Sequence, residues 1–279
     1  MERIDLHVHT IASDGTLTPS ECVLRAKELG LAAIAITDHD TADGVADACA
    51  EGKKCGVEVI PGIEISADYL GIEGVHILGY FIDPNSSALN ELLEWVIQER
   101  DARNEKIAAA MRADGIDVDL DEMREKYGTP VIGRPHFAAQ LVEKKIAESI
   151  SDAFDRFLGE EKIYYRRREY IPMDRAFSVI ERAGGKAVLA HPYQYGFSEE
   201  ELISLVSTVC SYGAVGIECL YSGYTPEQSN YLMSLAEHFG MCVTGGSDYH
   251  GSRKPDIEMG RGNGSLSVPY DILENLKRI

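Results

Sequence analysis

Two histidines and an aspartate near the start of the chain have the residue types and spacing of metal ligands. His7 and His9 alternate with apolar residues between positions 4 and 10, so a strand there places both imidazoles on one face. Asp14 follows a few residues later. Imidazole and carboxylate together bind divalent transition metals. Because two surface histidines would have the same spacing, the later parts of the chain must decide between a metal site and a surface pair.

The same residue types recur at the ends of later predicted strands. His39 and Glu64 stand near the ends of the second and third strands, whereas His76 lies inside the fourth. In a β/α barrel the carboxyl ends of the strands meet at one face, where their side chains would cluster. Clustered carboxylates repel one another unless cations neutralise them, so we predict a multinuclear metal site. The predicted ligands are His7, His9, Asp14, His39, Glu64, His76, His191, Asp248 and His250.

Alternating strands and helices must position these side chains. Continuous apolar runs at 32–36 and 187–190 are typical of parallel strands that are buried on both faces. Thr18 is expected to cap a helix after the first strand, with Pro19 in the first turn and Glu21 completing a capping box. Strand–helix–strand alternation with short links predicts an α/β fold built on parallel strands.

The pattern changes in the middle of the chain. Between about 84 and 168 the sequence predicts helices without a buried strand, and the strands resume afterwards. We therefore predict a catalytic barrel formed by residues 1–83 and 169–279 and a helical insertion over 84–168. Because the insertion enters and leaves between the fourth and fifth strands, we expect it to cap the active face.

The composition argues against several classes of partner. The chain has 279 residues and a net charge of −19, from 27 basic and 46 acidic side chains, which disfavours duplex DNA and anionic membranes. Bound cations would still permit an anionic substrate. No apolar run approaches the length of a membrane span and the N-terminus has no secretory signal pattern, so we expect a cytoplasmic protein. The 6 cysteines form no Cys-x-x-Cys pair and are expected to be free thiols.

Taken together, the motifs resemble those of the polymerase and histidinol phosphatase (PHP) superfamily. The resemblance implies a distorted (β/α)7 barrel, the PHP fold, with a trinuclear metal site. Residues 14–19 and the segment Gly133-Arg134-Pro135-His136 are similar to the TrpH/YciV-type branch, which includes nucleoside 3′,5′-bisphosphate phosphatases and a 5′-to-3′ exoribonuclease. The other motifs are Asp5-Leu6-His7-Val8-His9, Ser13-Asp14-Gly15-Thr16, Thr37-Asp38-His39-Asp40, Pro61-Gly62-Ile63-Glu64, His76, Ala190-His191-Pro192 and Gly246-Ser247-Asp248-Tyr249-His250.

The resemblance also implies how the ligands are shared among two to three divalent ions. No expected ligand position is substituted, which favours an active hydrolase. Mn²⁺ is the favoured ion, with Fe²⁺ and Zn²⁺ as alternatives. The nucleophile is then a metal-bridging hydroxide and not a side chain. The implied sets are His7, His9, Glu64 and Asp248 for one metal, Asp14, His39 and His250 for a second, and Glu64, His76 and His191 for a third, with Glu64 bridging.

Two basic segments of the insertion are candidates for substrate recognition. Arg134 and His136 lie in a turn framed by glycine and proline, and a guanidinium binds phosphate in a bidentate manner. We expect them to bind a second phosphate of the substrate, although Arg134 is also consistent with a surface cation. The run Arg166-Arg167-Arg168 is either a solvated face or a contact for an anionic substrate, and the sequence leaves its role open.

Three functions are compatible with these features. The favoured one is hydrolysis of a phosphate monoester of a small nucleotide, in particular the 3′-phosphate of nucleoside 3′,5′-bisphosphates. The alternatives among enzymes are a 5′-to-3′ exoribonuclease acting on short single-stranded RNA and a phosphatase of the histidinol-phosphate type. The histidinol phosphatase branch lacks the Arg134 pattern, which lowers that option. A non-enzymatic PHP module is disfavoured because the ligand set is complete.

Overall fold

The computed structural model describes residues 2–128, 132–167 and 169–279. The chain forms two compact units. The barrel unit comprises Met1–Leu92 and Tyr170–Ile279, and the helical unit comprises Leu93–Glu169. No helix of the described ranges is both long enough and apolar enough to cross a membrane.

The barrel unit is built on a single sheet of 9 strands in the described residues. The spatial order is β8-β7-β6-β4-β3-β2-β1-β9, and β5 pairs with β3 beside this path. After β8, Tyr249 forms a parallel bridge with Val8 of β1, which brings the two ends of the sheet together. This nearly closed sheet confirms the distorted barrel. The strands are β1 (Arg3–Val8), β2 (Leu31–Ile36), β3 (Glu58–Tyr69), β4 (Ile72–Tyr80), β5 (Ile171–Pro172), β6 (Lys186–Leu189), β7 (Gly216–Tyr221), β8 (Cys242–Gly246) and β9 (Val268–Pro269).

Strand β4 departs from the parallel arrangement that the sequence alternation predicts. It runs antiparallel to both of its neighbours, β3 and β6. No helix separates β3 from β4; instead the chain reverses at Leu70 and Gly71, whose φ angles are +53° and +83°. A crossover helix is needed for a parallel connection, so this tight turn imposes the antiparallel direction. As a result, His76 reaches the site from the middle of a strand, whereas its partners come from strand ends.

The helices of the barrel unit follow the sequence signals closely. Thr18 accepts a hydrogen bond from the Glu21 amide, the Glu21 side chain completes the predicted capping box, and Pro19 opens the helix. Apolar side chains of β1, β2, β4 and β6 share a buried core with the last helix. These helices are α1 (Pro19–Glu28), α2 (Val45–Cys55), α7 (Met173–Arg182), α8 (Glu199–Ser211), α9 (Pro226–His238) and α10 (Tyr270–Arg278).

The helical unit has a hydrophobic core of its own. Phe137 and Leu141 are fully buried there, together with Ile107 and Met111 from the long first helix. The helices are α3 (Ser87–Ala113), which begins before the boundary of the unit, α4 (Leu120–Tyr127), α5 (Arg134–Glu143) and α6 (Ile150–Ala153), which continues as a π-helical turn over Phe154–Leu158. The expectation that the inserted segment caps the active face of the barrel stays a prediction.

Gly246, the last residue of β8, lies against the backbone of β1. A Cβ atom added at Gly246 would lie 2.5 Å from the backbone nitrogen of His7. Backbone cannot move aside as a flexible side chain does, so overpacking here should destabilise the fold by about 1–3 kcal/mol.

We therefore predict that Gly246→Ala lowers the midpoint of thermal unfolding and displaces His7. Gly133→Ala is the matched control, because an added Cβ there would meet its nearest neighbour at 3.4 Å, an ordinary contact distance. Differential scanning calorimetry of both variants measures the effect. A wild-type unfolding temperature for Gly246→Ala would contradict the close approach of β8 to β1.

Candidate metal centre

The nine predicted ligands lie together in the barrel unit. Among the described residues, four overlapping groups bring ligand atoms within 4.8 Å of one another. Each predicted ligand belongs to at least one group, and no other residue is included. The groups are His9, Asp14, His39 and His250; His7, His9 and Asp248; His7, Glu64 and His191; and His39, Glu64 and His76.

Glu64 is the central carboxylate of this cluster, and it is fully buried. Its Oε1 atom lies 2.9 Å from His191 Nε2 and 2.9 Å from His76 Nδ1. Its Oε2 atom lies 3.0 Å from His39 Nδ1, 3.3 Å from His9 Nε2 and 3.4 Å from His7 Nε2. One side chain therefore contacts five of the histidines, which is the position that a bridging ligand requires.

The sheet itself brings the ligands together. Val8 bridges to Tyr249, so the end of β1 with its histidines lies beside the segment that carries Asp248 and His250. His39, just beyond β2, forms a parallel bridge with Glu64 of β3. The predicted convergence of strand ends is therefore a direct consequence of strand pairing.

Several buried polar atoms in the cluster have no hydrogen-bond partner among the described residues. A buried polar atom without a partner costs free energy, and such atoms are rare in folded proteins. A concentration of them at one point indicates a ligand, and a divalent cation suits imidazole and carboxylate donors. The atoms are His7 Nε2, both ring nitrogens of His9, His39 Nδ1, Glu64 Oε2 and His191 Nδ1.

Two of the predicted ligand histidines have their tautomers fixed by neighbouring acceptors. His7 Nδ1 lies 3.0 Å from Glu218 Oε1, and His250 Nδ1 lies 2.9 Å from the backbone oxygen of Asp248. A carboxylate and a carbonyl can only accept, so Nδ1 carries the proton in both rings. The Nε2 atoms of the two rings face Glu64 and Asp14, at 3.4 Å and 3.2 Å. This arrangement prepares both rings for a metal.

Glu218, which sequence reasoning missed, supports two ligands at once. It is fully buried on β7, and its Oε2 accepts the backbone N–H of His191 at 2.8 Å. His191 has a φ of +23°, a conformation that non-glycine residues rarely adopt. The second carboxylate oxygen holds His7, as described above. The sequence did contain one indication of this role, because Glu218 is the single acid within an otherwise largely apolar strand.

Asp248 is held in a similar way by two donors. Its Oδ2 atom accepts from Tyr221 Oη and from Lys254 Nζ, each at 2.6 Å. Its Oδ1 atom is left to face His9 Nε2 at 3.2 Å. Lys254 is 40% exposed, so this cation stands at the edge of the cluster where solvent reaches it. Neither Tyr221 nor Lys254 was among the predicted site residues.

The charges of the cluster shift the pKa values of its members. Burial raises the pKa of Glu64, but His39, His76 and His7 outweigh it and hold the value well below its usual range. Burial lowers the pKa of His9, and the neighbouring rings of His250 and His39 lower it further. His9 is therefore a neutral imidazole, the form that coordinates metals.

Two further buried carboxylates shape the loops that carry the ligands. Asp5 accepts from the backbone N–H groups of His7, Ser247 and Gly260, which joins β1 to β8. Asp38 accepts from the backbone N–H of Thr10 at 2.7 Å. These contacts give the acids of the predicted motifs a supporting role beside the ligands.

The predicted substrate-binding residues lie in the helical unit. The Arg134 guanidinium stands over the ring of Tyr165, 5.4 Å from its centroid. His136 is only 1% exposed, and its Nδ1 accepts the Gly133 N–H at 2.9 Å, so it shapes the turn that precedes Arg134. Binding of substrate by either residue stays a prediction.

The arginine run near the end of the helical unit has a local role at its first member. Arg166 Nη1 donates to the carbonyl oxygens of Ile163 and Tyr165. Arg168 lies outside the described residues. The contacts of Arg166 satisfy backbone carbonyls of the preceding turn, and they leave the question of an anionic substrate open.

We predict that Glu218→Gln lowers metal affinity about 10- to 100-fold while the protein stays folded, because a supporting group that orients a ligand typically contributes that much. Equilibrium dialysis against Mn²⁺ with elemental analysis measures the loss. Glu237→Gln, on the exposed face of α9, is the control and should bind metal as the wild type does. Unchanged affinity in Glu218→Gln would show that His7 and His191 hold their positions without it.

Comparison with known proteins agrees with this site. The family model of the PHP domain matches residues 5–243. The chain is 36% identical to the 5′-3′ exoribonuclease Rnm of Escherichia coli over 92% of this chain and 88% of the relative. It is 33% identical to the 3′,5′-nucleoside bisphosphate phosphatase of Chromobacterium violaceum, over 90% of this chain and 88% of the relative. An amidohydrolase structure from C. violaceum, with bound sulfate and no metal, aligns with a TM-score of 0.86 at 30% identity, covering 99% of this chain and 96% of that one. The chain therefore belongs to the PHP-domain family of metal-dependent phosphoesterases.

Proposed function

We propose that this protein removes the 3′-phosphate from nucleoside 3′,5′-bisphosphates. The observation that carries the proposal is the cluster of potential metal ligands around Glu64. Several buried nitrogen and oxygen atoms of this cluster have no hydrogen-bond partner among the described residues, and bound cations would satisfy them. A relative that matches along most of both chains is named as a phosphatase of this substrate class. Together these support a small phosphorylated nucleotide as the substrate.

The nine ligands would hold two to three divalent ions, in the sets that the family resemblance implies. The structure groups them slightly differently, since His9 also stands with Asp14, His39 and His250. Mixed nitrogen and oxygen donors suit Mn²⁺, Fe²⁺ and Zn²⁺, of which we propose Mn²⁺. When bound, such ions polarise a water and the phosphoryl oxygens, which supplies the nucleophile and stabilises developing charge.

The chain's own residues have three tasks in this proposal. Glu218 and the Asp248 carbonyl keep His7 and His250 in the required tautomer. Lys254 neutralises Asp248 and offers a cation beside the cluster, where an anionic phosphate group can replace part of that contact. Arg134 is proposed to bind the second phosphate of the substrate, with His136 fixing the turn before it.

A second candidate activity is exonucleolytic cleavage of short single-stranded RNA from its 5′ end. It is favoured by the E. coli relative, which is named as a 5′-3′ exoribonuclease. Both candidate activities hydrolyse a phosphate ester at the same cluster, but the first cleaves a monoester of a single nucleotide and the second cleaves a phosphodiester of an RNA chain. Release of inorganic phosphate from adenosine 3′,5′-bisphosphate, compared with release of mononucleotides from a 5′-phosphorylated RNA, separates them.

A cytoplasmic location, without membrane or duplex DNA as partners, belongs to the same proposal.

We predict that Glu64→Gln lowers metal stoichiometry and abolishes phosphate release while the protein stays soluble. The amide keeps the size of the side chain but removes the charge that several histidines and cations share. Elemental analysis and circular dichroism on the same preparation give metal content and fold. Full activity in a metal-loaded Glu64→Gln protein would contradict the bridging role.

We further predict that Arg134→Ala reduces kcat/KM for adenosine 3′,5′-bisphosphate about ten- to a hundred-fold, because a charge-assisted contact to a phosphate contributes about 1.5–3 kcal/mol. Hydrolysis of p-nitrophenyl phosphate, which has no second phosphate, should change little. Steady-state kinetics on both substrates tests this. Equal losses on both would assign Arg134 to the fold of the helical unit and not to substrate recognition.

A further inference from the structure

The barrel unit contains a small aromatic pocket whose lining begins two residues after His191. The pocket has a volume of about 250 Å³ and is lined by Tyr193, Phe197, Glu199, Leu202 and Tyr231. Three of these five side chains are aromatic, and all three are half-buried. The pocket lies between the turn after β6, the start of α8 and the first half of α9.

A chain of ring contacts leads from the metal centre to this pocket. The ring of the ligand His191 lies 5.4 Å from that of Tyr221, and Tyr221 lies 5.0 Å from Tyr224. Tyr224 meets Tyr193 edge-on at 5.4 Å. Its hydroxyl also accepts the Tyr193 backbone N–H at 3.0 Å, which fixes the pocket wall. Only Pro192 separates Tyr193 from His191 in sequence, so the wall of the pocket is continuous with the segment that carries this predicted ligand.

The charge of the pocket excludes phosphate as its occupant. The first turn of α8 carries Glu199, Glu200 and Glu201, and no basic side chain lines the pocket among the described residues. Glu199 Oε1 accepts from Tyr231 Oη at 2.9 Å, and the carboxylate keeps lone pairs for a further donor. Aromatic walls with one acceptor suit a flat, uncharged heterocycle that carries N–H groups.

We propose that this pocket binds the nucleobase of the substrate, which stacks on Tyr193 while its N–H groups face Glu199. The inference rests on the proposed function and adds a specificity site to it. The metals and the cations hold phosphates, and the aromatic pocket recognises the part of a nucleotide that they do not contact. A sugar bisphosphate without a base would then be a poorer substrate than a nucleoside bisphosphate.

The kinetic test compares adenosine 3′,5′-bisphosphate with an abasic analogue, 1,2-dideoxyribose 3,5-bisphosphate. Loss of one stacking partner should lower kcat/KM for the nucleotide about five- to a hundred-fold in Tyr193→Ala and leave the abasic analogue unchanged. Tyr193→Phe, which keeps the ring, should retain the wild-type preference. Tyr231→Ala tests the opposite wall. Tyr212→Ala is the control, because this tyrosine is 44% exposed at the far end of α8.

A binding experiment separates failure of this inference from failure of the proposed function. Adenosine carries no phosphate, and saturation-transfer NMR detects its binding to the metal-loaded protein without any turnover. We expect a signal in the wild type and in Tyr193→Phe and none in Tyr193→Ala. No signal in the wild type, or equal losses on both bisphosphates in Tyr193→Ala, would overturn the pocket even if the phosphatase assay succeeds. If no bisphosphate is hydrolysed but adenosine binds through Tyr193, the result supports base binding in the pocket and contradicts the proposed phosphatase function.

Discussion

The buried carboxylate of Glu64 is the constraint on which the site depends. It contacts five imidazoles, and four of those rings present nitrogen atoms that have no hydrogen-bond partner within the described residues. A buried charge of this kind is tolerated only when opposite charges or cations surround it. In the protein without metal, protonated histidines supply that charge, which is why the pKa of His39 rises to about 9. A bound cation replaces those protons, so metal affinity and stability of the site are coupled.

The strands of the barrel bring the predicted metal ligands together, and buried acids around them fix the orientation of the segments that carry these ligands. Asp5, Asp38 and Glu218 are all buried, and each accepts backbone N–H groups from segments that carry ligands. Two of the predicted ligands, His191 and Asp248, have positive φ angles of 23° and 57°. Strained backbone persists only where its surroundings fix it. The Glu218–His191 contact is one such restraint, and the bridge between Val8 and Tyr249, next to Asp248, is another.

Much of the fold and nearly all of the ligand cluster could be predicted from the sequence. The His-x-His spacing, the capping box at Thr18 and the apolar strands are local signals, and strand pairing then brings the ends together. The reversed direction of β4 could not be predicted from its residues, because an apolar run is the same in a parallel and an antiparallel strand. Glu218 was missed for a related reason: an isolated acid has no spacing to interpret. The aromatic pocket joins Tyr193 to Tyr231, which are distant in sequence and line the same pocket only in the folded chain, where Tyr231 of α9 donates to Glu199 of α8.

The distribution of charge explains how an acidic protein can act on an anionic substrate. The chain has a net charge of −19, yet the acids of the centre are neutralised locally by histidines, Lys254 and the metals that the ligand set requires. Metals bind almost any accessible phosphate, so the cluster alone gives catalysis without discrimination. Discrimination has to come from groups that contact other parts of the substrate. The uncharged aromatic wall at Tyr193 is suited to a base, and the acidic turn beside it repels the phosphates. The metal cluster attracts phosphate, whereas the acidic turn at the aromatic pocket repels it. This difference orients a nucleotide with its phosphate toward the metals and its heterocycle away from them.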